Sequence, residues 1–317
     1  MKNFWDILPK PILALAPMED VTDAAFRRLI ARKGKPAVMF TEFTSADGLV
    51  LAPESGQRML RKKLMFDDAE RPIVAQLFSA VPEHMEKASQ LVAELGFDGI
   101  DINMGCPVSA VVDTGCGAAL IKNPALAREL IRSAKKSGLP VSVKTRIGYS
   151  SDELDSWLPE LLAEDLAAIT IHARTRKEMS DVPARWDKVA RAVELRDSLQ
   201  SKTLILGNGD IKDIPDARAK VAAAMCDGAM LGRAIYGNPW LFAERIEQPT
   251  REEKIQALLE HLALFEELLG ETTNYAVMKK HFKAYISGWD GAKELRIKLM
   301  ETETIREATE ILSNAQN

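Results

Sequence analysis

With 317 residues, 46% of them apolar, 28% charged and only three cysteines, the chain is long enough for one large core or for two domains, and it is neither disordered nor a disulfide scaffold. A formal charge of −4 argues against a protein that coats nucleic acid nonspecifically, although a local basic track stays open. Cysteines at 106, 116 and 226 make neither a CxxC pair nor a zinc ligand set, so reduced thiols, a cytoplasmic location and no metal are expected.

In chain order, the apolar run 12–16 comes first. It is too short for a secretion signal or a membrane span, which needs about 20 apolar residues, and it reads as a strand. Similar runs follow at 37–43, 73–78, 99–103, 141–145, 168–172, 203–207 and 228–231, eight in all. Helical stretches separate them: Pro82 opens one with Met85, Ala88, Leu91, Val92 and Leu95 on one face and Gly96 as its stop. Pro124 opens another, with Leu126, Leu130, Ile131 and Ala134, closed by Gly138. Strands alternating with helices predict a parallel sheet, and eight such units predict an α/β fold of the (β/α)8 TIM-barrel type rather than an open, doubly wound sheet. After about residue 247 the β-rich runs stop. Ile255, Leu258, Leu259, Leu262 and Phe265, then Val277, Phe282 and Ile286, then Leu295 and Leu299 read as amphipathic helices punctuated by Gly270 and Gly288. The expected division is a barrel over 1–247 and a small all-helical C-terminal domain over 248–317.

Barrel chemistry sits where strands end, and here those ends are polar or glycine-rich. They carry Pro17 and Met18, then Thr41-Glu42-Phe43, Gln76, Asn103 with Gly105-Cys106-Pro107, Lys144 with Arg146, and His172 with Arg174. The last two ends, Asn208-Gly209-Asp210 and Gly232-Arg233, are loops whose backbone N–H groups can face phosphate oxygens, which implies a phosphorylated cofactor. Lys144 suits a fixed positive charge beside a group that gains electrons. Cys106, pinned between Gly105 and Pro107, is expected at the mouth, whereas Cys116 between two glycines and Cys226 read as packing.

Together the stretches "LAPMEDVTDAAFRRL", "TEF", "AQLF", "DGIDINMGCPVSAVVDTGCGAALIKNP", "PVSVKTRIGY", "TIHARTR", "LGNGDI" and "DGAMLGRAIYGNPWLF" resemble the tRNA-dihydrouridine synthase family over essentially the whole chain. The resemblance implies an FMN-binding barrel that reduces the C5–C6 bond of a D-loop uridine in tRNA with NADPH. It implies Pro17 and Met18 under the flavin, Gln76 and Lys144 at its ring edge, and His172, Asn208, Gly209, Gly232 and Arg233 at the ribityl phosphate, with Asp210 in the same loop. Cys106 is implied as the general acid, and Asn103 and Arg146 as residues facing the base. The chemistry agrees: hydride addition at C6 leaves enolate-like charge, and a thiol near its ordinary pKa of about 8.5 can deliver the proton to C5. The chain departs from the family pattern after "HARTR", where it reads Lys177-Glu178-Met179-Ser180-Asp181-Val182-Pro183, and it has Ala173 where glycine is frequent.

Three basic clusters could border the mouth and follow an RNA backbone: Arg27, Arg28, Arg32, Lys33 and Lys35; Arg61, Lys62 and Lys63; and Lys279, Lys280 and Lys283 with His281. Lys279 and Lys280 are taken as RNA contacts of a monomeric enzyme, and the target uridine must leave its stack. Two alternatives share the loops: an FMN barrel of the dihydroorotate or dihydropyrimidine dehydrogenase type acting on a free pyrimidine, and a barrel that binds phosphorylated ligands or RNA without redox chemistry.

Overall fold

Side chains alternate along a strand, so a closed sheet needs one apolar set for its interior and another for the helices outside. The computed structural model, which describes residues 3–316, meets both needs with nine short parallel strands. These are β1 (Ile12–Leu15), β2 (Met39–Phe40), β3 (Thr44–Ser45), β4 (Ile73–Phe78), β5 (Gly99–Met104), β6 (Val141–Arg146), β7 (Ala168–His172), β8 (Leu204–Asn208) and β9 (Gly228–Leu231). Ile12, Ala14, Val38, Phe40, Val74, Ala168, Leu206 and Met230 form the inner cluster, which Trp5 and its neighbours plug from below. The intervening residues, Leu13, Leu15, Ile73, Ala75, Ile100 and Ile102 among them, pack outward against helices.

Helices α1 (Ala24–Lys33), α2 (Ala46–Leu51), α3 (Glu54–Lys63), α4 (Pro82–Glu94), α5 (Ser109–Val112), α6 (Pro124–Lys135), α7 (Leu154–Leu162), α8 (Trp186–Ser198) and α9 (Ile214–Ala224) lie between or beside the strands. Pro82 and Pro124 each occupy the first turn of their helix, where a missing N–H costs nothing. Leu95 falls outside the buried face of α4 and is exposed, because the helix has already ended at Glu94.

Closure joins the first strand to the last. β1 pairs with β9, Ile12 opposite Gly228 and Leu15 opposite Leu231, and on its other side Ala14 bridges Val38. Gly228 has a geometric reason: a Cβ there would lie 2.2 Å from the Ile12 carbonyl oxygen. Of the second predicted strand, 37–43, only Met39–Phe40 forms β2, and β3 lies just beyond its end; both pair with β4. At the break the Thr41 hydroxyl accepts from Gln76 N at 3.1 Å, so a side chain takes the place of a ladder carbonyl.

Beyond the barrel, Thr250 caps α10 (Arg251–Leu269) in a reciprocal box with Glu253, and α11 (Met278–Tyr285), α12 (Ala292–Glu301) and α13 (Ile305–Gln316) complete a helical region. α10 lies on α1, with Phe26 stacked on His261 at 4.9 Å and Lys33 paired to Glu260. No described helix is long and apolar enough to cross a membrane.

Candidate active site at the barrel mouth

Inward positions on β4 to β8 change from apolar at the bottom to polar at the top, and these residues converge into one hydrogen-bonded layer. Asp101 on β5 accepts from Ser142 Oγ and from Gln76 Nε2, both at 2.6 Å, and Gln76 Oε1 accepts from Asn103 Nδ2 at 3.1 Å. Asn103 Oδ1 in turn accepts from the backbone N–H of Gly105 and of Cys106, at 3.1 and 2.9 Å. One buried carboxylate thus fixes, through two amides, the loop that carries Cys106. Asp101 itself is pushed up to about 6 by burial, against its hydrogen bonds and Lys144.

Above this layer opens a cavity of about 220 Å³. Pro17, Met18, Lys144, His172, Asn208, Gly209, Asp210, Gly232 and Arg233 line it, together with Arg174 and Ser180. Nine of the ten cofactor residues expected from the sequence therefore share one wall; Gln76 lies beneath, fully buried, with both amide ends engaged. The Lys144 ammonium borders the cavity, and burial together with Arg146 brings it down to about 8.

A guanidinium pair also lines the cavity. Asp210 binds Arg174 Nη2 through one oxygen and Arg233 Nη2 at 2.9 Å through the other, and its carboxyl is held below the usual range, chiefly by Arg174. Arg174 Nη1 donates to His172 Nε2 at 3.0 Å, which leaves the proton of the neutral ring on Nδ1. Burial, with four cations nearby, keeps that ring uncharged far below its ordinary pKa. Gly209 sits at φ +123°, and a Cβ there would press on Ala184 and His172. Gly207 leaves room for the Trp186 ring, whose Nε1 donates to Gly209 O at 2.9 Å. The arrangement can hold a phosphate between guanidiniums and glycine loops, and a planar ring against Met18 under the Lys144 charge. Arg174 and Ser180 were not singled out as contacts in the sequence; Arg174 lies two residues beyond the inward His172, which is the signal that pointed to it.

Cys106 is about nine-tenths buried in a small apolar cluster with Val111 and Cys116, flanked by Phe43 and Phe78. Burial pushes its thiol up, so it keeps its proton at neutral pH. Cys116 is fully buried beside it, and Cys226 donates to Gly228 O at 3.3 Å. Arg146 is 5% exposed and braces the loops: Nε donates to Gly105 O at 2.8 Å, and Nη1 to Thr175 O and Met179 O. The segment after "HARTR" thus folds inward on Arg146 and on Arg174, which donates to Val182 O. Glu178 accepts from Thr175 N and pairs with Arg185.

The basic clusters are partly corrected. Arg27 is fully buried, with Nε on Glu70 at 2.8 Å and Nη1 on Thr22 O, and His281 is buried too; neither can meet RNA. Lys33 is paired with Glu260 and Lys63 with Glu19. Lys279 donates to Met300 O, and Lys280 lies 3.5 Å from Asp20 in the loop after β1; neither lysine lines the cavity.

Residues 14–317 match a protein family described as dihydrouridine synthase (Dus). Over 315 residues the chain is 42% identical to a probable tRNA-dihydrouridine synthase 2 of Bacillus subtilis (strain 168), covering 99% of this chain and 96% of that one. It is also 42% identical over 313 residues to a probable tRNA-dihydrouridine synthase of Staphylococcus epidermidis, covering 98% and 95%. Among solved structures, morphinone reductase in complex with tetrahydroNAD superposes with a TM-score of 0.53 at 14% identity, over 78% of this chain and 90% of that one. Histamine dehydrogenase from Rhizobium sp. 4-9 gives 0.54 at 14% identity, over 83% and 51%. These two likenesses concern the fold alone.

Proposed function

Because the chain belongs to the dihydrouridine synthase family, we propose that it reduces the C5–C6 bond of a D-loop uridine in tRNA, with FMN as cofactor, NADPH as reductant and Cys106 as general acid. The observation that carries this reading is the cavity itself, lined by Lys144 and by the Arg174–Asp210–Arg233 group, with the Asn103-held Cys106 loop beside it.

The residues fit the cofactor. Arg233, Arg174 and the backbone of Gly209 and Gly232 would hold the phosphate, with Asp210 keeping the two guanidiniums in place. Met18 and Pro17 would support the ring. When bound, FMN reduced by NADPH supplies the hydride that goes to C6 of the uracil. Lys144 holds positive charge at the cavity's ring end, which favours electron gain there. Neutral His172 offers a donor at Nδ1 without adding charge. Asn103 orients the Cys106 loop through two backbone N–H groups, and Cys106 Sγ holds the proton destined for C5. Phe43, Phe78 and Val111 keep water from that sulfur. Arg146 keeps the loops after β5 and β7 together over the base. We assign 1–247 to catalysis and 248–317 to docking the tRNA.

The test uses purified protein, NADPH and tRNA lacking dihydrouridine. The yellow colour should bleach with NADPH and return with tRNA, and mass spectrometry should find dihydrouridine in the D-loop. Return of colour with a free pyrimidine and not with tRNA would favour a small-molecule reductase; a protein that takes up no flavin would defeat both.

A further inference from the structure

Two cations without a carboxylate partner among the described residues, Lys122 and Arg176, meet around one aromatic side chain, and a third, Lys177, follows Arg176. Tyr149 follows β6, and its ring centre lies 3.6 Å from Lys122 Nζ and 5.3 Å from the Arg176 guanidinium carbon. The backbone holds this grouping in register, since Arg176 N donates to Gly148 O and Lys177 N to Tyr149 O, both at 2.9 Å. The grouping is also tied to the Cys106 loop. Arg176 Nε donates to Pro107 O at 3.3 Å, and Lys122 ends the helical turn Gly117–Lys122, whose Ala118 N donates to Cys106 O. Lys122 and Lys177 are exposed, and Tyr149 and Arg176 are partly so.

A ring face holds cations in place without neutralising them, and a guanidinium resting on an aromatic keeps an edge free for oxygen ligands. The nearby carboxylates are engaged by backbone: Glu153 accepts from Tyr149 N at 2.6 Å and Glu178 from Thr175 N at 2.7 Å, and neither pairs with Lys122 or Arg176. Such a place favours an anion with several oxygens at the rim. Lys122, Tyr149 and Arg176 do not line the cofactor cavity, so the cofactor's phosphate is not the anion in question.

We propose that Lys122, Tyr149 and Arg176 form a clamp for a backbone phosphate of the RNA strand next to the uridine that reaches Cys106; this rests on tRNA being the substrate. A base drawn from its stack has its own phosphates at the rim, and fixing one sets how far the base enters. Arg176 and Lys122 supply charge, and Tyr149 sets their spacing.

The test measures tRNA binding to the full-length enzyme over a series of salt concentrations. Lys122→Ala with Arg176→Ala should weaken binding about ten-fold and lower the slope of log Kd against log salt by about one to two, the worth of the lost phosphate contacts. Arg176→Lys alone should keep the slope, and Tyr149→Leu should weaken binding a few-fold with the slope near wild type, because both charges remain. Lys202→Ala, just before β8 at the opposite end of the barrel, should change neither. A slope unchanged in the double variant would overturn the clamp alone. A raised KM for NADPH with tRNA binding intact would overturn it too, by giving the clamp to the coenzyme's phosphate. Failure of the unaltered protein to bind tRNA would overturn the substrate reading and the clamp with it.

Discussion

On the proposed reaction, Lys144 should set the pH dependence of the first half-reaction. Its amine is charged below about 8 and loses that charge as pH rises through this value, since burial and Arg146 disfavour the ammonium. NADPH-driven bleaching should therefore slow on the alkaline side with a midpoint near 8, and Lys144→Met should be slow at every pH and show no such limb; stopped-flow absorbance across pH 6–10 checks both. Cys106, the proposed general acid, should govern the second half-reaction. Cys106→Ala should still bleach with NADPH, but reoxidation by tRNA should slow by about 10²–10⁴-fold, the usual worth of a positioned acid. Cys116→Ala should leave both steps near normal, and a stalled reoxidation in that variant would reverse the two roles. The sequence sets the two cysteines apart, with a glycine and a proline holding Cys106 at a strand end and Cys116 in a turn of small residues, while the structure buries both in one cluster. The burial of Arg27 could not be read from the sequence. A charged residue beside other charges reads as solvated, and its buried partner Glu70 comes from 43 positions away.

At the scale of elements, barrel closure is concentrated in four residue pairs between β1 and β9. Gly228→Ala should push β9 away from the Ile12 carbonyl, lower stability by about 1–3 kcal/mol and loosen the Gly232 loop that follows β9. Urea midpoints and FMN affinity measured together would check it, and an unchanged midpoint would mean that the closing pair tolerates more separation than its geometry indicates. Eight strands and their order could be read from the run lengths, since helices flanked each run and parallel crossovers leave few topologies. The break between β2 and β3 could not, because Thr41, a good strand residue, keeps its own N–H on Val74 O but meets Gln76 N with its hydroxyl in place of its carbonyl. The polar layer was half legible. Asn103 and Lys144 stand at strand ends, but Asp101, two residues earlier and inward on β5, takes its meaning only from Gln76 and Ser142 on neighbouring strands.

Across the whole molecule, barrel and helical region meet at a joint that is polar yet unsatisfied: all four ring nitrogens of His261 and His281 and the Tyr285 hydroxyl are buried with no hydrogen-bond partner from protein. Burial holds both imidazoles neutral, His281 down to about 3. Unfolded histidines take up protons near 6.5 and these folded ones do not, so the joint loses stability as pH falls below 6.5 and down towards 3. His281→Phe should remove part of that acid loss and be neutral or stabilising at pH 7, because an apolar ring leaves no stranded nitrogen. Thermal unfolding at pH 5 and pH 7 tests it; a variant as acid-sensitive as wild type would move the cause elsewhere. The closing contacts also set a timetable for synthesis. A ribosome releases β1 and α1 first, yet β1's partner β9 ends at Leu231 and α1's cover, α10, ends at Leu269. Until both have emerged the nascent chain carries an open sheet edge and a bare helix face, so barrel closure comes late in synthesis, after most of the chain has been made.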